Sequence, residues 1–276
     1  MGPVKFDDLS KTAASVLNDD YQVTGYQFSA KQKTNLDGAV ITTAVDLLPG
    51  KEGVVTPGKL TWKFPKPFGL SGLSIDKLEL DKAGKLKLEV SSDKAAKGVV
   101  LDCKSDLADP AKITAACQYS GLKDTLCKLE TKPMKPQDFV FEVTRSQGIA
   151  QFGLKCTQAN LTAPDVGLRL AKDAMFCSVY AKEKFSVFTA HGFYQASSVL
   201  KLAATYEQGG KKSGSFSVGA AYDVAKGTTL KGKLMQDQSL SCGVKHAVAK
   251  GFSLVCGCKY DTKGKGLSYG LKLSVE

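Results

Sequence analysis

Catalysis and metal binding both need titratable or nucleophilic side chains that can be brought together, so the two histidines and eight cysteines come first. His191 and His246 each lie inside a stretch where apolar and polar residues alternate. That period marks a β-strand, and a lone strand histidine is ordinarily a wall residue. Cys103, Cys117, Cys156, Cys242, Cys256 and Cys258 fall in the apolar phase of such stretches, where a thiol behaves as a small hydrophobe. No C-x-x-C occurs, and Cys256-Gly257-Cys258 puts two thiols on one strand face without a matching second pair. The residues therefore predict no metal site and no cofactor. Gly209-Gly210-Lys211-Lys212-Ser213-Gly214 has the composition of a phosphate loop, yet no buried strand feeds a helix there, so it reads as a basic hairpin turn. No Ser-His-Asp or paired-carboxylate spacing stands out, and the chain is expected not to be an enzyme.

Charge opens another possibility. The chain carries 38 Lys and Arg against 27 Asp and Glu, a formal net charge of +11. Arginine is the residue of bidentate phosphate and base recognition. Here Arg145 and Arg169 are the arginines, and lysines spread along the whole sequence supply the rest. That distribution predicts no nucleic-acid partner. Spread over the walls of a passage, the same lysines would concentrate small anions.

The elements that must carry these residues have two periods. From Phe6 to Leu17 the apolar residues Phe6, Leu9, Ala13, Val16 and Leu17 recur at helical spacing, with Asp7, Asp8 and Lys11 opposite. One short amphipathic helix is predicted, too short to stand alone, so its stripe must find a surface. After Tyr21 the period changes to two. Leu86, Leu88 and Val90 alternate with Lys85, Lys87 and Glu89; Phe252, Leu254, Cys256 and Cys258 alternate with Ser253, Val255 and Gly257. Turn signals at Asp37-Gly38, Ala83-Gly84, Asp109-Pro110, Lys226-Gly227 and Lys263-Gly264-Lys265-Gly266 punctuate the runs. About nineteen strands fit, at roughly 13 residues per strand and turn, with antiparallel neighbours and no second helical segment. The whole of 1–276 reads as one domain, with 1–20 as its helical segment and 21–276 as its β part.

A soluble sandwich would also alternate. Two features favour a transmembrane barrel. The polar phase mixes Ser, Thr, Gly, Ala and Gln with Lys and Glu, as a wall facing water would. The strand count also exceeds what one soluble core can fill, since about sixteen strands already enclose an aqueous channel. Mean hydropathy is −0.12, and no apolar run approaches the ~20 residues of a spanning helix. Barrels escape that test, because their strands are short and only alternate residues are apolar. The phase with Leu86, Leu88, Val90, Phe252, Leu254, Cys256 and Cys258 should then face lipid. The helix should lie in the lumen with Lys11 toward the water. The first residues, Met1 to Asp8, show no charged-then-apolar signal, so no cleaved presequence is expected.

Two stretches carry a family resemblance. Asp8-Leu9-Ser10-Lys11-Thr12-Ala13-Ala14-Ser15-Val16-Leu17, followed by Asp20-Tyr21, resembles the opening of voltage-dependent anion channels. Ser268-x-Gly270-x-x-Leu273-x-Val275 is similar to the signal that directs mitochondrial barrels into the outer membrane. A weaker likeness runs from Tyr222-Asp223 through Gly232-Lys233-Leu234 to Gly243 and departs at Met235-Gln236. The resemblance implies a single porin domain, all-β, a barrel of about nineteen strands with the helix in the lumen and the first and last strands parallel. It implies a voltage-gated, weakly anion-preferring channel in the mitochondrial outer membrane. The partners it implies are membrane lipids, small anionic metabolites such as nucleotides, the barrel-assembly machinery and a second copy of the chain. Phe6, Leu9, Lys11, Ala13 and Val16 would form the pore helix, and Ser268, Gly270, Leu273 and Val275 the insertion signal. The sequence also departs from the family. No glycine hinge precedes Gly25, and Gly98-Val99-Val100 stands where the family has Gly-Leu-Lys; the Gly-Leu-Lys at Gly121, Gly153 and Gly270 is assigned no nucleotide site. The alternatives are the related protein-import pore and, in another class, a soluble all-β binding protein.

Overall fold

The computed structural model describes residues 2–35, 38–50, 53–210 and 214–276. Asp37 of the expected first turn, and Lys211, Lys212 and Ser213 of the basic hairpin, lie outside the described residues. After Gly25, among the described residues, one antiparallel strand follows another, each hydrogen-bonded to its chain neighbours. Among the described residues twenty strand segments form, and of these Gly53–Val55 pairs only with the end of Val40–Gly50. The remaining nineteen close into a barrel. Closure is made by a parallel pairing of the first strand, Gly25–Lys33, with the last, Gly266–Val275, in the register Gly25↔Gly270 to Ala30↔Val275. An odd number of staves in an up-and-down barrel requires one parallel pair, because antiparallel order alternates direction. Closure leaves no open sheet edge, the condition for a sheet to stand in hydrocarbon.

Short turns set the register. Gln147 pairs with Ala150 across Gly148-Ile149, and Lys172 with Met175 across Asp173-Ala174. Gly148 and Asp173 take the left-handed conformation that two-residue hairpins need (φ 59° and 49°). The turn expected at Asp109-Pro110 lies instead at Leu107-Ala108, and Asp109 opens the next strand. Proline is tolerated there because a strand's first residues need not donate to the ladder. Short 3-10 turns at Pro67–Gly69 and Gln158–Asn160 interrupt the all-strand pattern that the sequence predicts.

The barrel is apolar outside. Tyr26, Phe28, Val45 and Leu47 on the first two strands, and Phe216, Val218 and Tyr222 further round, are large apolar side chains exposed on the outer face. The buried apolar clusters lie where the N-terminal segment meets the inner wall. A barrel strand of about ten residues, tilted about 40°, spans roughly 25 Å, the height of an outer apolar band. All eight cysteines stand in the outward phase, including Cys127 and Cys177, which the sequence reading left unplaced. Leu86, Leu88, Val90, Phe252, Leu254, Cys256 and Cys258 face outward as expected. Among the described residues no helix is long and apolar enough to cross a membrane.

Candidate functional site

The predicted single helix is two pieces: a 3-10 turn over Phe6–Ser10, then an α-helix over Lys11–Asn18. Its apolar stripe explains the break. Phe6 and Leu9 fill one hollow against Tyr180, whereas Ala13, Val16 and Leu17 fill another against Phe176, Ala203 and Ala221. Tightening the first turn lets both sets reach a curved wall. The Phe6 and Tyr180 rings meet edge to face at 5.4 Å, and the Tyr180 hydroxyl donates to the Phe6 carbonyl at 3.3 Å. Thus Phe6, Leu9, Ala13 and Val16 are placed on the wall. Lys11 is placed away from it, its side chain 75% exposed and 3.7 Å from Asp8.

The wall is cut to fit. Inward-facing glycines lie beneath the segment along its course. A methyl group added at Gly153 would stand 2.8 Å from both Leu9 Cδ1 and Phe6 Cδ2, and one at Gly167 2.9 Å from the same Leu9 Cδ1. Gly219 lies under Leu17, Gly243 under the Asp20 carbonyl, Gly257 under Gln22, and Gly270 under Thr24 and the Gly25 carbonyl. Two of the three Gly-Leu-Lys occurrences, at Gly153 and Gly270, are therefore glycines of this track. The sequence reading missed its role, although glycine recurring in the polar phase of strands was the available signal.

Lysines from the wall fasten the segment. Lys155 Nζ reaches Asp7 at 3.0 Å and Glu142 at 3.1 Å. Lys231 Nζ donates to the Ser15 carbonyl at 2.9 Å and the Asp19 carbonyl at 3.1 Å. It thereby satisfies free carbonyls at the negative end of the helix dipole. Asp20 pairs with Lys231 (3.4 Å) and Lys245 (3.1 Å). Lys233 lies 4.7 Å from the ring centre of Tyr21, whose phenol burial pushes up to about 12.

Strand register sorts the other lumenal charges into two kinds of wall. On the early strands, acid faces base: Glu79↔Lys87, Lys77↔Glu89, Glu89↔Lys104 and Lys128↔Glu142. Contacts of 2.9 Å for Lys77–Glu79 and 2.8 Å for Lys128–Glu130 add to that neutralisation. On the late strands Lys201 pairs with Asp223 at 3.3 Å, but Lys233 and Lys259 both face Ser241, and Lys272 faces Val255 and Gln27. Among the described residues none of Lys233, Lys259 and Lys272 has a carboxylate within 4.0 Å.

The remaining residues singled out from the sequence fall elsewhere. Ser268 and Gly270 face inward, while Leu273 and Val275 face outward beside Phe28 and Ala30, so all four lie on the last strand and border the closing seam. His191 is on the inner wall with its ring 5.7 Å from Tyr180, and His246 is on the outer face bonded to Thr228 at 2.8 Å. Among the described residues no group of three or more His, Cys, Asp or Glu could hold a metal ion.

The family model described as eukaryotic porin matches residues 2–270. No curated protein matches the sequence. Among solved structures, a triple mutant of the Rhodopseudomonas blastica porin is 10% identical with a TM-score of 0.48, over 79% of this chain and 96% of that one. A structure titled "Asymmetric conductivity of engineered proteins" is 10% identical with a TM-score of 0.49, over 79% and 97%.

Proposed function

The chain belongs to the eukaryotic porin family, that of the voltage-dependent anion channels, and from that premise we propose a voltage-gated, weakly anion-preferring channel of the mitochondrial outer membrane. Porins are channels and not enzymes, and the closed barrel is a pore for small solutes. The finer reading is that nucleotides, phosphate, organic anions and small ions diffuse through it. The observation that carries the anion preference is the asymmetry of the lumen. Paired charges on the early strands nearly cancel at a distance, whereas Lys233, Lys259 and Lys272 leave a net positive wall on the late ones. A positive wall raises the local anion concentration. Lys155, Lys231 and Lys245 are partly spent on Asp7 and Asp20, so the preference is moderate and cations still pass.

Voltage acts on charges that can move along the field, at about 2.3 kcal/mol per elementary charge per 100 mV. The N-terminal segment carries Asp7, Asp8, Lys11, Asp19 and Asp20 and is held to the wall by contacts of its own, so it is the element proposed to respond.

Reversal potential across a salt gradient in planar bilayers tests the reading. Replacing Lys233, Lys259 and Lys272 together by Gln should move it toward cations, and Lys11→Glu should do so by a smaller step. Both shifts should shrink near 1 M salt, where the screening length falls to about 3 Å. A reversal potential unmoved by the triple variant would refute the late-strand wall as the source of selectivity.

A further inference from the structure

The outward phase of the strands is apolar through most of its length, and Arg145 is an exception. It lies on the strand Lys135–Gln147, in the same phase as Phe139, Phe141 and Val143, and it pairs across to Phe152 on one side and Thr125 on the other. Its side chain is exposed. Among the described residues it makes no ion pair, hydrogen bond or ring contact, although a guanidinium has five donors to place. The other arginine, Arg169, is on the inner wall with its guanidinium 4.9 Å from the Phe176 ring centre.

The surroundings of Arg145 are those of a lipid boundary. It stands two residues inside the rim, and the turns beyond it expose Leu122 (55%) and Ile149 (55%). Beside it Phe152 is 51% exposed. With Phe152 beside it, apolar turns beyond it and no carboxylate within 4.0 Å among the described residues, the cation has no protein partner, and its length lets it reach the headgroup layer. Lys123 is exposed in the neighbouring turn, one residue before Asp124, whose carbonyl accepts from Ser146 N at 2.8 Å. Asp124 itself makes no ion pair with Arg145.

We propose that Arg145, with Lys123, binds the phosphate of an anionic membrane phospholipid on the outer face of the barrel, with the acyl chains along Phe152. A phosphodiester fits the planar fork of arginine in bidentate fashion, and a lipid without an ammonium of its own leaves both phosphate oxygens free to accept. The site depends on which way the strand faces and not on the ion preference of the pore, so the two readings fail separately.

Native mass spectrometry of the detergent-solubilised full chain, titrated with phosphatidylglycerol, phosphatidylcholine or inorganic phosphate alone, tests it. Wild type should retain phosphatidylglycerol in preference to phosphatidylcholine. R145Q should lose that retention by about tenfold, K123Q by less, and R145K should fall between, because lysine keeps the charge and loses the fork. The turn variant Lys226→Gln, also basic and exposed, should bind as wild type does. Equal retention by wild type and R145Q overturns the proposal. So does displacement of the lipid by inorganic phosphate, which would mean that only a free anion is held.

Discussion

Adding two methyl groups to the inner wall should release the start of the N-terminal segment without touching its sequence. Methyls at Gly153 and Gly167 would stand 2.8 and 2.9 Å from the same Leu9 Cδ1, and 3.4 and 3.2 Å from the same Phe6 Cε2. Leu9 cannot tilt away from one without keeping the other, because both it and Phe6 are 0% exposed with Tyr180 closing the far side. Overpacking of this kind costs about 1–3 kcal/mol per site. Burial of Phe6 and Leu9 contributes about 1.5–3 kcal/mol each, and the Tyr180 hydrogen bond about 1 kcal/mol more. The double variant Gly153→Ala, Gly167→Ala thus removes a large share of what holds residues 4–10. The helix beyond Ser10 keeps its own anchors at Ala13, Val16 and Leu17. Amide hydrogen exchange over residues 6–10 should speed up by at least about tenfold, the equivalent of 1.4 kcal/mol, while residues 14–18 change little. Open-channel current in planar bilayers should become noisier. Gly192→Ala and Gly232→Ala are the controls, since a methyl at either meets nothing within 4 Å. If the double variant showed unchanged exchange over residues 6–10 with its barrel intact, close fit to the glycine track would not be what seats the segment.

Two further outcomes are expected. In detergent-free membranes Cys256 and Cys258 should resist a water-soluble maleimide and react with a membrane-permeant one; rapid modification by the soluble reagent would invert the assignment of lipid-facing and lumenal phases. For the insertion signal, Leu273→Glu should stall integration into isolated mitochondria while leaving import onto the surface intact, and normal integration would remove that residue from the signal. Leu273 is the informative choice because a side chain at Gly270 would meet the Gly25 carbonyl at 2.7 Å, mixing a folding defect with a targeting one.

Much of this protein can be read from residue order alone, for a local reason. A strand with one face in lipid and one in water must alternate, so Phe216-Ser217-Val218-Gly219 declares both its conformation and its two faces. The same reasoning put Cys256 and Cys258 outside, and the helical spacing of Phe6, Leu9, Ala13 and Val16 declared a stripe that needed a surface. What stayed hidden depends on which residues meet across the barrel. Gly153 faces Gly167, and Gly243 faces Gly257, which faces Gly270, across neighbouring strands; strand register and the curvature of the closed wall set these and Gly219 along one track under residues 6–25. The change from 3-10 turn to α-helix after Ser10 coincides with two hollows on that wall, with no glycine or proline in the segment to cause it. Nor could composition tell a neutralised lysine from a free one. Lys87 opposite Glu79 and Lys259 opposite Ser241 have the same local pattern, and strand register, set by turns such as Gly148-Ile149 that alternation places only to within a residue or two, is what separates them.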